Sequence, residues 1–295
     1  MSSASSPRAQ EPLLVEESLL NATRRRAFGV MFWICAGWIA LVVLLALLAS
    51  VLGLQNPTTE NYDSLNQGPT LAHWFGTDDL GRDIFSRVVY GARVSLIVGF
   101  GAMVISMSIG ASLALLAAYR RGKIDLLVSA ASYVMLAFPA LVAVIAIIAF
   151  WGHDLWKITL IIGVAGIPLV FRVVRAAALG YATRDFVVAA KTQGASDWRI
   201  ITKEILPNVL PAMVSFFLIG VASVVILEGA LAFLGLSVQP PTPSWGNMIS
   251  ESRTYLSQNP WLALFPSLAM ILFLIALNLI GDTLRSALDH QEGKL

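Results

Sequence analysis

Side chains able to do chemistry are sparse in this chain and do not gather. His73, His153 and His290 lie far apart in sequence, and the one cysteine, Cys35, sits in an apolar run. That inventory builds neither a disulfide framework nor a Cys/His metal cluster. In RRGKID, Gly122-Lys123 lacks the following Ser/Thr and the earlier glycine of a phosphate-binding loop. Glu228 is the one acidic residue inside an apolar span. A charge in that position costs about 2.5–3.5 kcal/mol to insert, so Glu228 must face protein or water rather than lipid. Two roles fit it: lining a translocation path, or making a structural hydrogen bond near the end of its helix. The net charge of +2 is too small to suggest nucleic acid.

The elements that carry these residues belong in a membrane. The 295 residues are 57% hydrophobic and 13% charged, with a mean hydropathy of +0.75, whereas soluble domains carry roughly 25% charged residues. A spanning helix needs about 20 mostly apolar residues, and six runs qualify: 28–54, 94–119, 126–151, 158–178, 208–233 and 261–281. Pro139 is expected to kink the third, because it lacks an N–H and crowds the preceding turn. Arg172 and Arg175 fall late in the fourth, where long stems can carry their heads to the interface. With the N-terminus placed in the cytoplasm, only Arg82, Arg87, Arg93, Lys157 and Arg253 of the 20 Lys/Arg lie outside. The positive-inside bias therefore predicts both termini in the cytoplasm. The first run, preceded by a tail with Glu11, Glu16 and Glu17 and longer than the ~7–15-residue core of a signal peptide, reads as a retained span. The tail, rich in Ser, Pro, Ala and Glu, is expected to be disordered.

Between the fourth and fifth runs lies a polar interval on the predicted cytoplasmic side, RDFVVAAKTQGASDWRIITKEILPNVLP, residues 184–211. Asp185 to Gln193 suits a short helix with Phe186, Ala189 and Ala190 on one face. Gly194 suits a left-handed helix end, Ser196 an N-cap, and Asp197 the positive end of the following helix dipole. The second helix would show Trp198, Ile201 and Ile205 on one side and end at Pro207 and Pro211. Helices below ~12–15 residues are marginal in water, so these two need a surface, either their own bundle or a separate cytoplasmic protein.

On the opposite side, GTDDLGRD reads as the start of an amphipathic helix, with Thr77 as N-cap, Asp78 and Asp79 in its first turn, and Leu80, Ile84 and Val88 as its apolar stripe. Pro240, Pro241, Pro243, Trp245 and Trp261 mark an external loop with interface-anchoring aromatics. The second span carries Ser95/Gly99, Ser106/Gly110 and Ser108/Ser112 at four-residue spacing, the pattern that lets helices approach closely in lipid.

VAAKTQGASDWRIITKEILPNVLP resembles the cytoplasmic EAA loop of ABC importer permeases, with Ala189, Ala190, Gly194, Ile205, Leu206 and Pro207 at matching positions and Val188 where the motif has glutamate. Residues 73–96 and 227–268 resemble the second, C-type permease of dipeptide, oligopeptide and nickel importers. The resemblance implies an all-α polytopic membrane protein of type I ABC importer permease fold with six transmembrane helices. It implies a cytoplasmic N-terminal tail (1–26), a first helix and external segment with its amphipathic helix (27–92), a transmembrane core (93–285) with coupling helices at 185–206, and a cytoplasmic C-terminal tail (286–295). The coupling-helix residues that would dock the ATPase are Ala189, Ala190, Gly194, Ala195, Asp197, Trp198, Leu206 and Pro207. Glu228 and Pro139 are candidates for the path or for structure, and Thr77, Asp78, Gly81, Arg82 and Asp83 for the external segment. Implied partners are a homologous second permease, two ATPase subunits that bind ATP and magnesium in place of any cofactor here, an extracytoplasmic binding protein, a peptide substrate and membrane lipid. Nickel chelates or glutathione are alternative cargoes. A self-sufficient secondary transporter is the reading from another class, disfavoured because Glu228 is the only intramembrane candidate for a relay.

Overall fold

The structure, a computed structural model, describes residues 29–292, with side chains described to 287. The expectations for the N-terminal tail and for 293–295 therefore lie outside the described residues. Helix α1 (Val30–Leu48) is followed by a segment of turns, then α2 (Ile84–Arg120), α3 (Gly122–Ala137), α4 (Ala140–Trp151), α5 (Leu155–Tyr181), α6 (Asp185–Thr192), α7 (Asp197–Phe233), α8 (Trp245–Ser252) and α9 (Trp261–Glu292). Five of these helices are long and apolar enough to cross a membrane, and α3 with α4 forms a sixth if the bent pair is one span. No strand occurs among the described residues.

Three boundaries differ from expectation. The run around Pro139 is broken by 81° rather than kinked, with Phe138 and Pro139 both in extended backbone. Proline at 139 pushes the residue before it out of the helical region, so the helix must stop and restart. The fifth span and the second helix of the polar interval are one 37-residue helix, α7. Neither Pro207 nor Pro211 ends it, and at Pro207 the reason is local, because Ile200–Ile205 adopts a wider π-helical turn. That turn shifts the carbonyl a proline ring would otherwise strike. The third difference lies before α2. Thr77 does not cap a helix there, and Asp78, Asp79 and Leu80 lie outside one. Asp83 is the N-cap, its side chain accepting from the Ser86 N–H at 2.8 Å, and α2 runs unbroken from Ile84 into the bilayer span.

Helix α2 is the central post. Gly99 lies so close to Val221 and Val225 of α7 that a Cβ would come within 2.9 Å of the Val225 side chain. Ser106 donates to the Gly163 carbonyl of α5 at 2.6 Å. The pairs Ser95/Gly99 and Ser106/Gly110 are buried as the small-residue spacing predicts, while Ser108 and Ser112 are exposed. Arg93 caps the end of α1, donating from Nε to the Ala46 carbonyl at 2.9 Å and from Nη2 to Leu47 at 3.0 Å. Helices α3 and α4 remain largely uncovered, with Leu126, Leu127, Val134, Phe138 and Phe150 exposed.

Candidate functional site

The polar interval folds into an elbow at the basic end of the bundle. Asp185 stands in the first turn of α6 and Lys191 in the last, each matched to the helix dipole. The chain then turns at Gly194, whose φ is +80° with open space where a side chain would be. The Ala195 N–H donates to the Ala190 carbonyl at 3.1 Å, completing the left-handed helix end that glycine permits. Ser196 caps α7, accepting from the Arg199 N–H at 3.4 Å.

The faces differ from those read in the sequence. Val187 is the buried residue of α6, with Ala190 beside it, and it packs with Ile200, Ile201 and Ile205 of α7 against Ala117 and Ala118 of α2 and Val174 and Ala178 of α5. Phe186 and Ala189, expected to share Ala190's face, are exposed, as are Gly194, Pro207 and Trp198, the last at 75%. Trp198 does not join Ile201 and Ile205, which are buried in the core with Ile200. Ala195 and Leu206 are half-buried against the core. Val188, at the motif's glutamate position, is 53% exposed. The elbow thus satisfies its own bundle with one face and presents Phe186, Val188, Ala189 and Trp198 on another.

Asp197 points neither into the core nor to that apolar face. Its Oδ1 accepts from the Tyr119 hydroxyl at 2.8 Å, and its Oδ2 pairs with Arg120 Nη2 at 2.7 Å. Tyr119 and Arg120 end α2. An ion pair this exposed contributes only about 0.2–1 kcal/mol. A second basic-end tie joins α5 to α3: Arg175 grips Asp125 through Nε and Nη2, both at 2.5 Å. Sequence reasoning missed both ties, since Asp197 lies 78 positions from Tyr119 and Arg175 lies 50 from Asp125.

At the other end Glu228 is fully buried. Its Oε1 accepts from Ser237 at 2.5 Å and from Ser244 at 2.8 Å, while Oε2 makes no hydrogen bond among the described residues. Ser244 also caps α8, accepting from the Asn247 N–H at 3.2 Å. Glu228 therefore ties the loop between α7 and α8 to the bundle through these two hydroxyls. Trp245, expected at the membrane interface, is instead 1% exposed. Its indole N–H donates to the Val88 carbonyl at 3.0 Å, and its ring meets Phe273 edge-on.

Thr77 to Asp83, read from the sequence as the start of an amphipathic helix, form a compact loop instead. The Thr77 hydroxyl accepts from Gln67 N–H at 2.9 Å and donates to the Ser64 carbonyl. Gly81 has φ +74° and lies against Asn61, where a Cβ would come within 1.8 Å of the carbonyl oxygen, so only glycine fits. Arg82 pairs with Asp78 at 2.7 Å. Asp83, besides capping α2, meets His73 Nδ1 at 3.0 Å. Arg87, 2% exposed, reaches Asp78 at 3.4 Å, Glu251 of α8 at 3.2 Å and the Pro57 carbonyl at 3.1 Å. Burial pushes the Glu251 carboxyl above its ordinary 4.5, and the charges of Arg87 and Arg82 offset part of that. No group of metal-binding side chains gathers among the described residues.

A helical membrane bundle bearing a bent, half-exposed polar elbow is the architecture of a transport permease. The chain belongs to the family of binding-protein-dependent transport system inner membrane components, which matches residues 106–292, and within it to the ABC importer permeases of dipeptide/oligopeptide type. It is 41% identical over 247 residues to the dipeptide transport system permease protein DppC of Alkalihalophilus pseudofirmus, covering 84% of this chain and 81% of that one. It is also 41% identical over 229 residues to the glutathione transport system permease protein GsiD of Pectobacterium atrosepticum, covering 78% and 76%. The fold matches the inward-facing methionine ABC transporter MetNI with a TM-score of 0.59 at 19% identity, over 69% of this chain and 97% of that one. The chain is the membrane-embedded component of an ATP-driven importer, and hydrolysis belongs to separate ATPase subunits.

Proposed function

We propose that this permease forms half of a pathway that imports short peptides across the cytoplasmic membrane. Both termini and the elbow face the cytoplasm, in keeping with the distribution of Lys and Arg. The companion half is a homologous permease, for which the uncovered faces of α3 and α4 leave room. Two ATPase subunits, holding ATP and magnesium, dock on the elbow, one on each permease, and an extracytoplasmic binding protein delivers cargo to the face that carries α8. The residues in that docking are Ala189, Gly194, Trp198 and Pro207 on the exposed side, with Ala190, Ala195 and Leu206 supporting them from within. ATP-driven closure of the ATPases moves the elbow and turns the pathway from inward-open to outward-open.

The observation that carries this reading is the elbow itself: an exposed apolar face at the basic end, built around a positive-φ glycine. Peptides are the cargo class because the dipeptide permease is among the similar chains, and glutathione, itself a tripeptide, is the second reading because its permease is equally identical. Co-expression of the chain with candidate companion permease, ATPase and binding-protein chains tests it. An ATPase and a second permease that co-purify, with ATP-dependent uptake of labelled dipeptide, are expected. Uptake driven by an ion gradient by this chain alone would refute it, and glutathione uptake without dipeptide uptake would select the second reading.

A further inference from the structure

The elbow is joined to the bundle in two ways. Through α7 it is covalently continuous with a 37-residue helix. Through Asp197 it is tied to the end of α2, where adjacent residues, Tyr119 and Arg120, converge on the two oxygens of one carboxylate. The tie sits three residues beyond Gly194, the point where the chain turns in open space. Each charge also lies at the helix end its dipole favours, Arg120 at the C-terminus of α2 and Asp197 at the N-terminus of α7.

Helix α2 is bonded through side chains at both ends of the bundle. Its 37 residues run about 55 Å at 1.5 Å per residue. At the far end the Val88 carbonyl accepts from Trp245, and Arg87 pairs with Glu251, so α8 rides on α2 as the elbow does. An exposed ion pair contributes too little to hold the fold, and this one is placed where it joins a turning segment to a rigid post.

We propose that Asp197, Tyr119 and Arg120 form a clasp that makes the elbow and α2 move as one body, so that α2 carries displacement of the elbow to the external face. Tyr119 and Arg120 are positioning residues for transport and touch neither nucleotide nor cargo. The proposal rests on the docking reading above. Its test uses the whole complex in liposomes, with Tyr119→Phe, Arg120→Gln, the double variant and the conservative Arg120→Lys. Expected results are unchanged assembly with the ATPase, unchanged thermal unfolding and unchanged basal hydrolysis, with dipeptide imported per ATP falling in the double variant by roughly 5–150-fold, the usual range of coupling between sites. Arg120→Lys should restore most of the loss that Arg120→Gln causes. A double variant that imports at the wild-type ratio overturns the clasp. So does one in which assembly, unfolding temperature and hydrolysis fall together, because the pair would then be structural. An ATPase that fails to associate even with the wild-type permease removes the docking reading, and the clasp with it.

Discussion

Gly194 offers the sharpest perturbation of the elbow. Its φ of +80° is a conformation that side chains disfavour, yet nothing lies within 4 Å of where a Cβ would stand. Replacement therefore introduces no clash, and the cost is confined to the backbone. For a residue with a Cβ that cost is about 1–2 kcal/mol, and more for a β-branched residue, whereas asparagine visits this region readily. Because Gly194 is exposed, with open space where a side chain would stand, the strain is relieved by a change of angle between α6 and α7 rather than by unfolding. One to two kcal/mol shifts such an equilibrium by about 5–30-fold. Gly194→Val is thus expected to leave expression and thermal unfolding of the permease intact while dipeptide uptake per ATP falls by about that factor. Gly194→Ala should fall less and Gly194→Asn least. The assay is paired measurement of phosphate release and labelled dipeptide uptake in proteoliposomes. Wild-type uptake in Gly194→Val, or an equal loss in the valine and asparagine variants, would refute the reasoning, because backbone conformation would then not be the cause.

Three further outcomes follow from the geometry. Trp198→Ala, at a side chain 75% exposed, should weaken retention of the ATPase in pull-downs without lowering the permease's unfolding temperature. Arg87→Ala removes one of the two buried cations that pair with Asp78 and Glu251 and leaves Arg82 as the other. The loss should therefore fall short of the about 3–5 kcal/mol of a fully broken buried pair, and a thermal-shift assay in detergent will register it as a lowered unfolding temperature. Glu251 gives a pH signature. Its folded carboxyl titrates above its ordinary value, so its contribution to stability is full below that value and is lost as pH rises through the raised one. Unfolding temperature should therefore fall more steeply from about pH 4 to pH 7 in the wild type than in Glu251→Gln.

The long apolar runs made the bundle legible, and local backbone chemistry made the elbow legible. Asp185, Gly194 and Ser196 read as helix start, left-handed end and cap because each acts within a few residues of itself. What failed was orientation. Whether Phe186 or Val187 turns inward depends on where α2 and α5 place Ala117 and Val174, which no local period encodes. The error before α2 came from reading Thr77 as the cap, where the structure uses Asp83. Thr77 followed by two aspartates looked right, but Gly76 and Gly81, both at positive φ, are turn residues, and Asp83 stands directly before the uninterrupted helical run. Glu228 was visible as a lone acid, but Ser237 and Ser244 could not be assigned to it from sequence. The ties of Asp197 to Tyr119 and of Arg175 to Asp125 were invisible for the same reason: they join residues that only the assembled bundle brings together.

The 81° break at Pro139 bears on how the protein survives before it functions. The two half-length pieces, 16 and 12 residues, would measure about 24 and 18 Å, and neither crosses a hydrocarbon layer of about 30 Å. Peptide groups at their abutting ends cannot be left bare in oil. A solitary copy newly released into the bilayer carries that defect until water or another polypeptide shields it. Orphaned chains are therefore natural targets for quality-control proteolysis, and the abundance of this subunit should follow that of whatever covers the break.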